Sequence, residues 1–253
     1  MDIQLIPAFS DNYIYLLRDP ASDAVGVVDP GEAEPVLQAL DRLGLRLTHI
    51  FNTHHHNDHV GGNQTLKRRY GATLIGARAD RSRIADMDIA VGEGESVSFG
   101  SQTARVFETP GHTVGHIAFW FEQAKALFCG DTLFALGCGR LFEGSPAQMW
   151  NSLWKLRGLP GDTRVYCGHE YTLSNARFAV TVEPENRDLH ARVAAVEALR
   201  AKNQPTIPST LEEERRTNPF LRADLPEVQA ALGMEGASPT DVFAEIRRRK
   251  DRF

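Results

Sequence analysis

Four side chains able to bind a metal crowd into six residues in the segment Thr53-His54-His55-His56-Asn57-Asp58-His59. They are His54, His56, Asp58 and His59, and Val60-Gly61-Gly62 closes the loop behind them. The apolar, β-branched run over residues 47–53 that precedes them reads as a strand. A strand that discharges such a loop constrains the fold strongly. It has to deliver the donors to one edge of a sheet scaffold, and other elements have to bring the remaining ligands to the same edge. A lone histidine is several times more often a satisfied surface or core residue than a ligand. Four donors this close together in a glycine-bounded loop reverse those odds, and imidazole with carboxylate suits zinc, iron or manganese.

Three more donors stand in similar surroundings, each just after an expected strand. His112 lies in Thr109-Pro110-Gly111-His112, Asp131 in Cys129-Gly130-Asp131-Thr132 and His169 in Cys167-Gly168-His169-Glu170. Seven donors exceed the needs of one tetrahedral ion and suit two ions sharing a carboxylate. Asp131 fits that bridging role, having two oxygens to offer and no competing carboxylate nearby. His55 alternates out of the set and is expected to point away, His116 to bond locally, and His49 and His190 fall into no pattern. Cys129 and Cys167, each two residues before a donor, read as packed thiols. Asp29, in Val28-Asp29-Pro30-Gly31, is either a partner for a ligand histidine or an ordinary turn residue.

Around this centre the chain divides into two textures. Up to about residue 172, short apolar runs at 3–6, 13–18, 25–28, 73–75, 104–108, 117–121, 126–128 and 164–166 read as further strands. Helical spacing appears at 34–43, stopped by Gly44, and at 149–156. Beyond that, 174–182, 188–202 and 242–250 carry helical spacing, and 186–253 holds no expected strand. The expected domains are a catalytic one over 1–173 and a helical one over 174–253. The chain has 253 residues, three cysteines and a net charge of −5, which disfavours nucleic acid as a partner and a nuclease as a function. An odd number of cysteines in a chain of this size, no signal-like amino terminus and no membrane-length apolar run lead to the expectation of a cytoplasmic protein with reduced thiols, acting as a monomer without membrane partners.

The pattern His54-x-His56-x-Asp58-His59 with His112, Asp131 and His169 resembles the metallo-β-lactamase superfamily. The resemblance implies an α+β fold, an αββα sandwich with a smaller C-terminal α-helical domain. It also implies that His54, His56 and His112 hold one divalent ion and Asp58, His59 and His169 a second. Asp131 would bridge the two ions, zinc being the first expectation and iron or manganese the alternatives.

Within that superfamily nearly the whole chain resembles the hydroxyacylglutathione hydrolase, or glyoxalase II, branch. The matching stretches include Ser10-Asp11-Asn12-Tyr13, Gly130-Asp131-Thr132-Leu133-Phe134, Gly137-Cys138-Gly139-Arg140, Tyr166-Cys167-Gly168-His169-Glu170-Tyr171-Thr172 and Asn218-Pro219-Phe220-Leu221-Arg222. This resemblance implies hydrolysis of S-(2-hydroxyacyl)glutathione thioesters such as S-lactoylglutathione to glutathione and D-lactate, the last step of methylglyoxal detoxification. A metal-bridging hydroxide would attack, with Asp58 and Asp131 as the catalytic carboxylates. Glutathione contacts would fall to Arg140, Tyr171, Arg247 and Lys250, with Phe142 lining the cleft. Arg140 stands where the family often has Lys, and Phe142 where many relatives have Tyr. The competing expectations are a glutathione-linked persulfide dioxygenase, a broader thioesterase and a non-catalytic metal-binding protein.

Overall fold

A computed structural model describes residues 1–253, which gather into two compact units. One comprises Met1–Glu108 with Val114–Gly130, the other Thr109–Thr113 with Asp131–Phe253.

The first unit opens with the strands β1 (Asp2–Ala8), β2 (Asn12–Arg18) and β3 (Val25–Val28), paired antiparallel in that order. Helix α1 (Ala33–Leu43) then crosses over to β4 (His49–Phe51), which lies parallel to β3 with Val28 opposite Phe51. Gly44, in the left-handed region at φ 64°, ends α1 where the sequence places the stop. The short α2 (Asn57–Val60) and α3 (Asn63–Tyr70) lead to β5 (Thr73–Ala77) and β6 (Ile89–Val91), both added in parallel. Parallel strands covered on both faces read as unbroken apolar runs, which is why 25–28 has no polar alternation. A second sheet comes next, with β7 (Ser96–Phe99), β8 (Gln102–Glu108), β9 (Ile117–Phe121) and β10 (Ala126–Gly130) joined in antiparallel succession.

Side-chain alternation sorts the two faces of the first sheet. Ile14, Leu16, Val27, Ile50 and Leu74 turn toward Val36 and Leu40 of α1 and Leu66 of α3. Residues one step out of phase turn to the second sheet. Phe51 meets Phe99 and Phe119 edge-on, at centroid distances of 5.8 and 5.2 Å, and Tyr15 meets Phe128 at 5.5 Å. Aromatic edges and faces packed in this way add to the burial of large apolar surfaces.

The second unit begins its regular structure with a tight hairpin, β11 (Leu133–Phe134) and β12 (Gly137–Cys138). Helix α4 (Pro146–Arg157) starts with a capping box between Ser145 and Gln148 and a proline in its first turn. After β13 (Arg164–Cys167) come α5 (Thr172–Val182) and α6 (Arg187–Arg200). The two-residue strand β14 (Ser209–Thr210), which pairs with β13, corrects the expectation that no strand lies beyond residue 186. A pair of residues is too short to show a period; only the chain alongside makes it a strand. Thr210 also caps α7 (Leu211–Thr217) through a box with Glu213, and α8 (Pro226–Leu232) and α9 (Pro239–Asp251) complete the unit. Phe220 packs between Phe178 and Phe243, while Ala176 and Ala179 of α5 close on Leu136 and Leu189.

Candidate metal centre

In the first unit the donor loop is built on one buried carboxylate. Register places Asp29, just past β3, beside the end of β4, and its N–H donates to the Phe51 carbonyl at 2.9 Å. Asp29 then accepts from the Thr53 N–H at 2.8 Å, the Thr53 hydroxyl at 2.7 Å and His59 Nδ1 at 3.1 Å. The Thr53 hydroxyl directs its hydrogen at Asp29, so its Oγ1 accepts from His54 Nδ1 at 3.0 Å. Both imidazoles are thereby held with the proton on Nδ1 and the lone pair on Nε2, the form that binds a metal. Asp29 is therefore the histidine partner that the sequence left undecided.

The remaining donors of the loop are held locally. Asn12 donates from Nδ2 to the Asp58 carboxylate at 3.0 Å and to the Asp58 carbonyl at 3.2 Å. The ring of His54 lies 4.7 Å from that of His56 and 4.2 Å from that of His59. His55 turns aside, as expected, toward the fully buried Asp80, 3.3 Å away. His116 stacks on His54 at 4.7 Å. Gly130, at φ 47°, lets the chain pass this packing, since a Cβ there would come within 2.2 Å of Thr53 Oγ1 and 2.9 Å of His116 Nε2.

In the second unit three donors from distant points of the sequence converge on one atom. Asp131 Oδ2 lies 3.4 Å from His112 Nε2 and 3.3 Å from His169 Nε2. His112 Nδ1 donates to the Arg140 carbonyl at 2.9 Å, so its Nε2 carries the lone pair. His169 stacks flat on Tyr171 at 4.7 Å, and Phe142 lies edge-on to His112 at 5.1 Å.

These separations test whether the donors suit a metal. Donors about 2.0–2.1 Å from a tetrahedral ion stand about 3.3–3.4 Å from one another, whereas a charge-assisted hydrogen bond closes to about 2.7–2.9 Å. The two distances in the second unit fall on the ligand spacing, and so does the 3.4 Å between Asp58 Oδ2 and His59 Nε2 in the first. The donor sets fit a metal.

A cationic cluster lies in the second unit too. Arg247, buried on α9, donates to the Cys138 carbonyl at 3.0 Å and to Asp251 at 2.7 and 3.0 Å. Lys250, one turn on, donates to the carbonyl and hydroxyl of Ser174 at 3.1 and 3.2 Å. Burial first, then the charges of Arg247 and Arg140, pulls its ammonium down to about 8. Arg140 is exposed, 3.9 Å from Asp251, so Arg140 and Arg247 share one carboxylate. Arg248 and Arg249 pair instead with Glu245 on the outer face.

A model of the metallo-beta-lactamase superfamily matches residues 9–169, and one of the hydroxyacylglutathione hydrolase C-terminus matches 170–253. Over its whole length the chain is 59% identical to a hydroxyacylglutathione hydrolase of Methylococcus capsulatus, covering 99% of that protein. The chain belongs to the hydroxyacylglutathione hydrolase family. It is a metal-dependent hydrolase of α+β fold. A second member, from Rhodospirillum rubrum, is 56% identical over 100% of this chain and 99% of its own. Among solved structures, ETHE1 from Myxococcus xanthus aligns with a TM-score of 0.69 and 27% identity, covering 98% of this chain and 90% of that one. TTHA1623, solved in a di-iron-bound form, aligns with a TM-score of 0.60 and 25% identity over 87% of this chain and 100% of its own.

Sequence reasoning named the candidate donors and missed much of their support. Nothing near Asn12 in the chain marks it as a partner of Asp58, 46 residues away, beyond its place in the opening Ser10-Asp11-Asn12-Tyr13. The thiols are packed: Cys129, Cys138 and Cys167 are buried, and burial pushes Cys167 up to about 12. Phe142 is 64% exposed and Tyr171 39%. No helix is long and apolar enough to cross a membrane.

Proposed function

We propose that this hydrolase cleaves S-(2-hydroxyacyl)glutathione thioesters, such as S-lactoylglutathione, to glutathione and a 2-hydroxy acid at a pair of divalent ions. His54, His56 and His112 would hold one ion and Asp58, His59 and His169 the other, with Asp131 available to both. The observation that carries this reading is the convergence of two imidazoles on Asp131 Oδ2 at 3.3 and 3.4 Å. Imidazole and carboxylate donors suit zinc first, with iron and manganese as the alternatives for the same set.

When bound, such ions polarise a carbonyl and lower the pKa of water to about 7. The chain supplies the rest. Asp131 and Asp58 accept hydrogen bonds from the attacking water and aim it, Asp58 being held for this by Asn12. Arg140 and Lys250 bind the glutathione carboxylates, which are recognised through charge-assisted hydrogen bonds. Arg247 adds its charge to the same cluster, and its bonds to Cys138 and Asp251 use three of its five N–H donors. Tyr171 and Phe142 line the cleft with aromatic faces. A thiolate leaves readily, so no strong general acid is needed. Residues 174–253 form the glutathione-binding part, and the enzyme works as a cytoplasmic monomer.

Hydrolysis of S-lactoylglutathione followed together with elemental analysis tests the proposal. Active protein approaches two metals per chain, loses activity to a chelator and regains it with metal. Full activity at one metal per chain would overturn the two-ion arrangement, and a fully loaded protein inert toward the thioester would overturn the substrate.

A further inference from the structure

The hairpin β11–β12 is two residues per strand, yet four buried polar side chains are spent on its backbone. Asn175 of α5 donates to the Ala135 carbonyl at 3.1 Å. Asn218, after α7, donates to the carbonyls of Phe134 and Gly137 at 3.1 and 3.0 Å. Glu214 of α7 accepts from the Leu136 N–H at 2.9 Å and from Asn218 at 3.0 Å. Arg247 of α9 donates to the Cys138 carbonyl at 3.0 Å. None of the four is more than 6% exposed, and all lie in the stretch that matches the family's C-terminal model.

The backbone they hold is one that would not keep its shape alone. Leu136 sits at φ 58°, a conformation that a branched residue keeps only where its surroundings over-determine it. The two ends of the hairpin are where the metal donors lie. Asp131 precedes it. Past β12, Gly139 donates to the Thr132 carbonyl at 3.2 Å, and a Cβ on it would meet the Asp131 carbonyl at 1.9 Å and His112 Nδ1 at 3.1 Å. The next carbonyl, that of Arg140, accepts a hydrogen bond from His112 Nδ1. A shift of this segment therefore moves the backbone of Asp131 and the bond that sets the tautomer of His112.

We propose that Asn175, Glu214, Asn218 and Arg247 are positioning residues of the metal centre, fixing the hairpin that sets Asp131 and His112. The helical region thus serves the reacting centre as well as the thiol-bearing product, an inference that rests on Asp131 and His112 being metal ligands. Because these residues act through the ligands, their loss shows in the metal itself. Partners of ligands, when removed, typically cost 10–100-fold in metal affinity or activity.

The test is metal titration of Asn218→Ala, with cobalt substitution to read ligand geometry from its visible absorption. Val228→Ala, a buried truncation in α8 away from the hairpin, is the control for simple loss of stability. Asn218→Ala binds metal about 10–100-fold more weakly, shifts the cobalt spectrum and lowers kcat with KM within about twofold. Val228→Ala lowers the melting temperature but leaves affinity and spectrum as in the parent. Asn175→Ala removes a single bond and gives a smaller loss in the same direction, which keeps the test alive if Asn218→Ala does not fold. Parent-like metal affinity and spectrum in the asparagine variants, or an equal loss of metal in Val228→Ala, overturns the positioning role. A parent protein that takes up no metal overturns the metal-centre reading itself, and is told apart by that first titration.

Discussion

The donors of the two units are organised in opposite ways. In the first unit they are neighbours in the chain, His54 to His59, and a single buried carboxylate, Asp29, orders two of the imidazoles directly or through Thr53. In the second they are far apart, His112, Asp131 and His169, and they meet because the fold brings three turns to one oxygen. A local cluster needs little more than a strand end and an anchor. A dispersed one needs its backbone held at every approach, which accounts for the polar side chains gathered on the β11–β12 hairpin. The difference teaches that equal ligands can demand unequal support.

Removing the atom on which the dispersed donors converge gives the largest effect. Asp131→Ala loses on the order of a thousandfold in kcat, the upper end for removal of one electrostatic group from an active site, with little change in KM. Near-normal turnover with both ions bound would break the comparison, because the second unit would then have no centre. Next comes the anchor of the local cluster. Asp29→Ala weakens metal binding or activity by about 10–100-fold, as removal of a ligand's partner does. Metal titration measures this, and parent-like affinity would show that the loop holds itself without a carboxylate.

The proposed glutathione contacts should separate from both. Lys250→Ala raises KM by roughly tenfold to a hundredfold at nearly constant kcat, reflecting a charge-assisted contact worth about 1.5–3 kcal/mol. Arg248→Ala, on the outer face with Glu245, changes neither constant by more than about twofold, because exposed pairs contribute little. Equal small effects at both positions would mean that the tail contributes general charge and no specific contact.

The smallest effect is a dependence on pH. Lys250 is held down to about 8 by burial and by Arg247 and Arg140, so it is charged below that value and neutral above it. An anionic ligand therefore binds less well as pH rises through about 8, and the KM for the thioester climbs there while kcat holds. Lys250→Arg keeps its charge throughout and removes that rise. A KM profile identical in the two proteins would take Lys250 out of the binding site.

The candidate metal donors stand out in the sequence because each lies beside a glycine or in a dense loop, just beyond an apolar run. Strands at 25–28 and 117–121 were legible to the residue, the second because its apolar run is bounded by His116 and Glu122. Strands β6 and β7 were not, since short edge segments such as Ser96–Phe99 carry too few residues to show a period. Arg247 teaches a subtler point. In sequence it belongs to a basic tail and shares a helical face with Lys250, yet in the fold it is 5% exposed and bonded to Cys138, 109 residues away.

By itself, then, the sequence determined the chemistry on offer: which side chains can hold metal, which can bind carboxylates, and which family pattern joins them. Composition and spacing act over a few residues and need no partner to be recognised. Only the tertiary structure decided that Asp29 orders His54 and His59, that Asn12 holds Asp58, and that four residues of the helical region clamp one hairpin. Apart from the Thr53–His54 link, the bonds from Asp29, from Asn12 and to the hairpin backbone join groups separated by 24 to 109 residues. A buried polar group takes whichever partner the packing places within about 3 Å, and that choice is made by the whole fold.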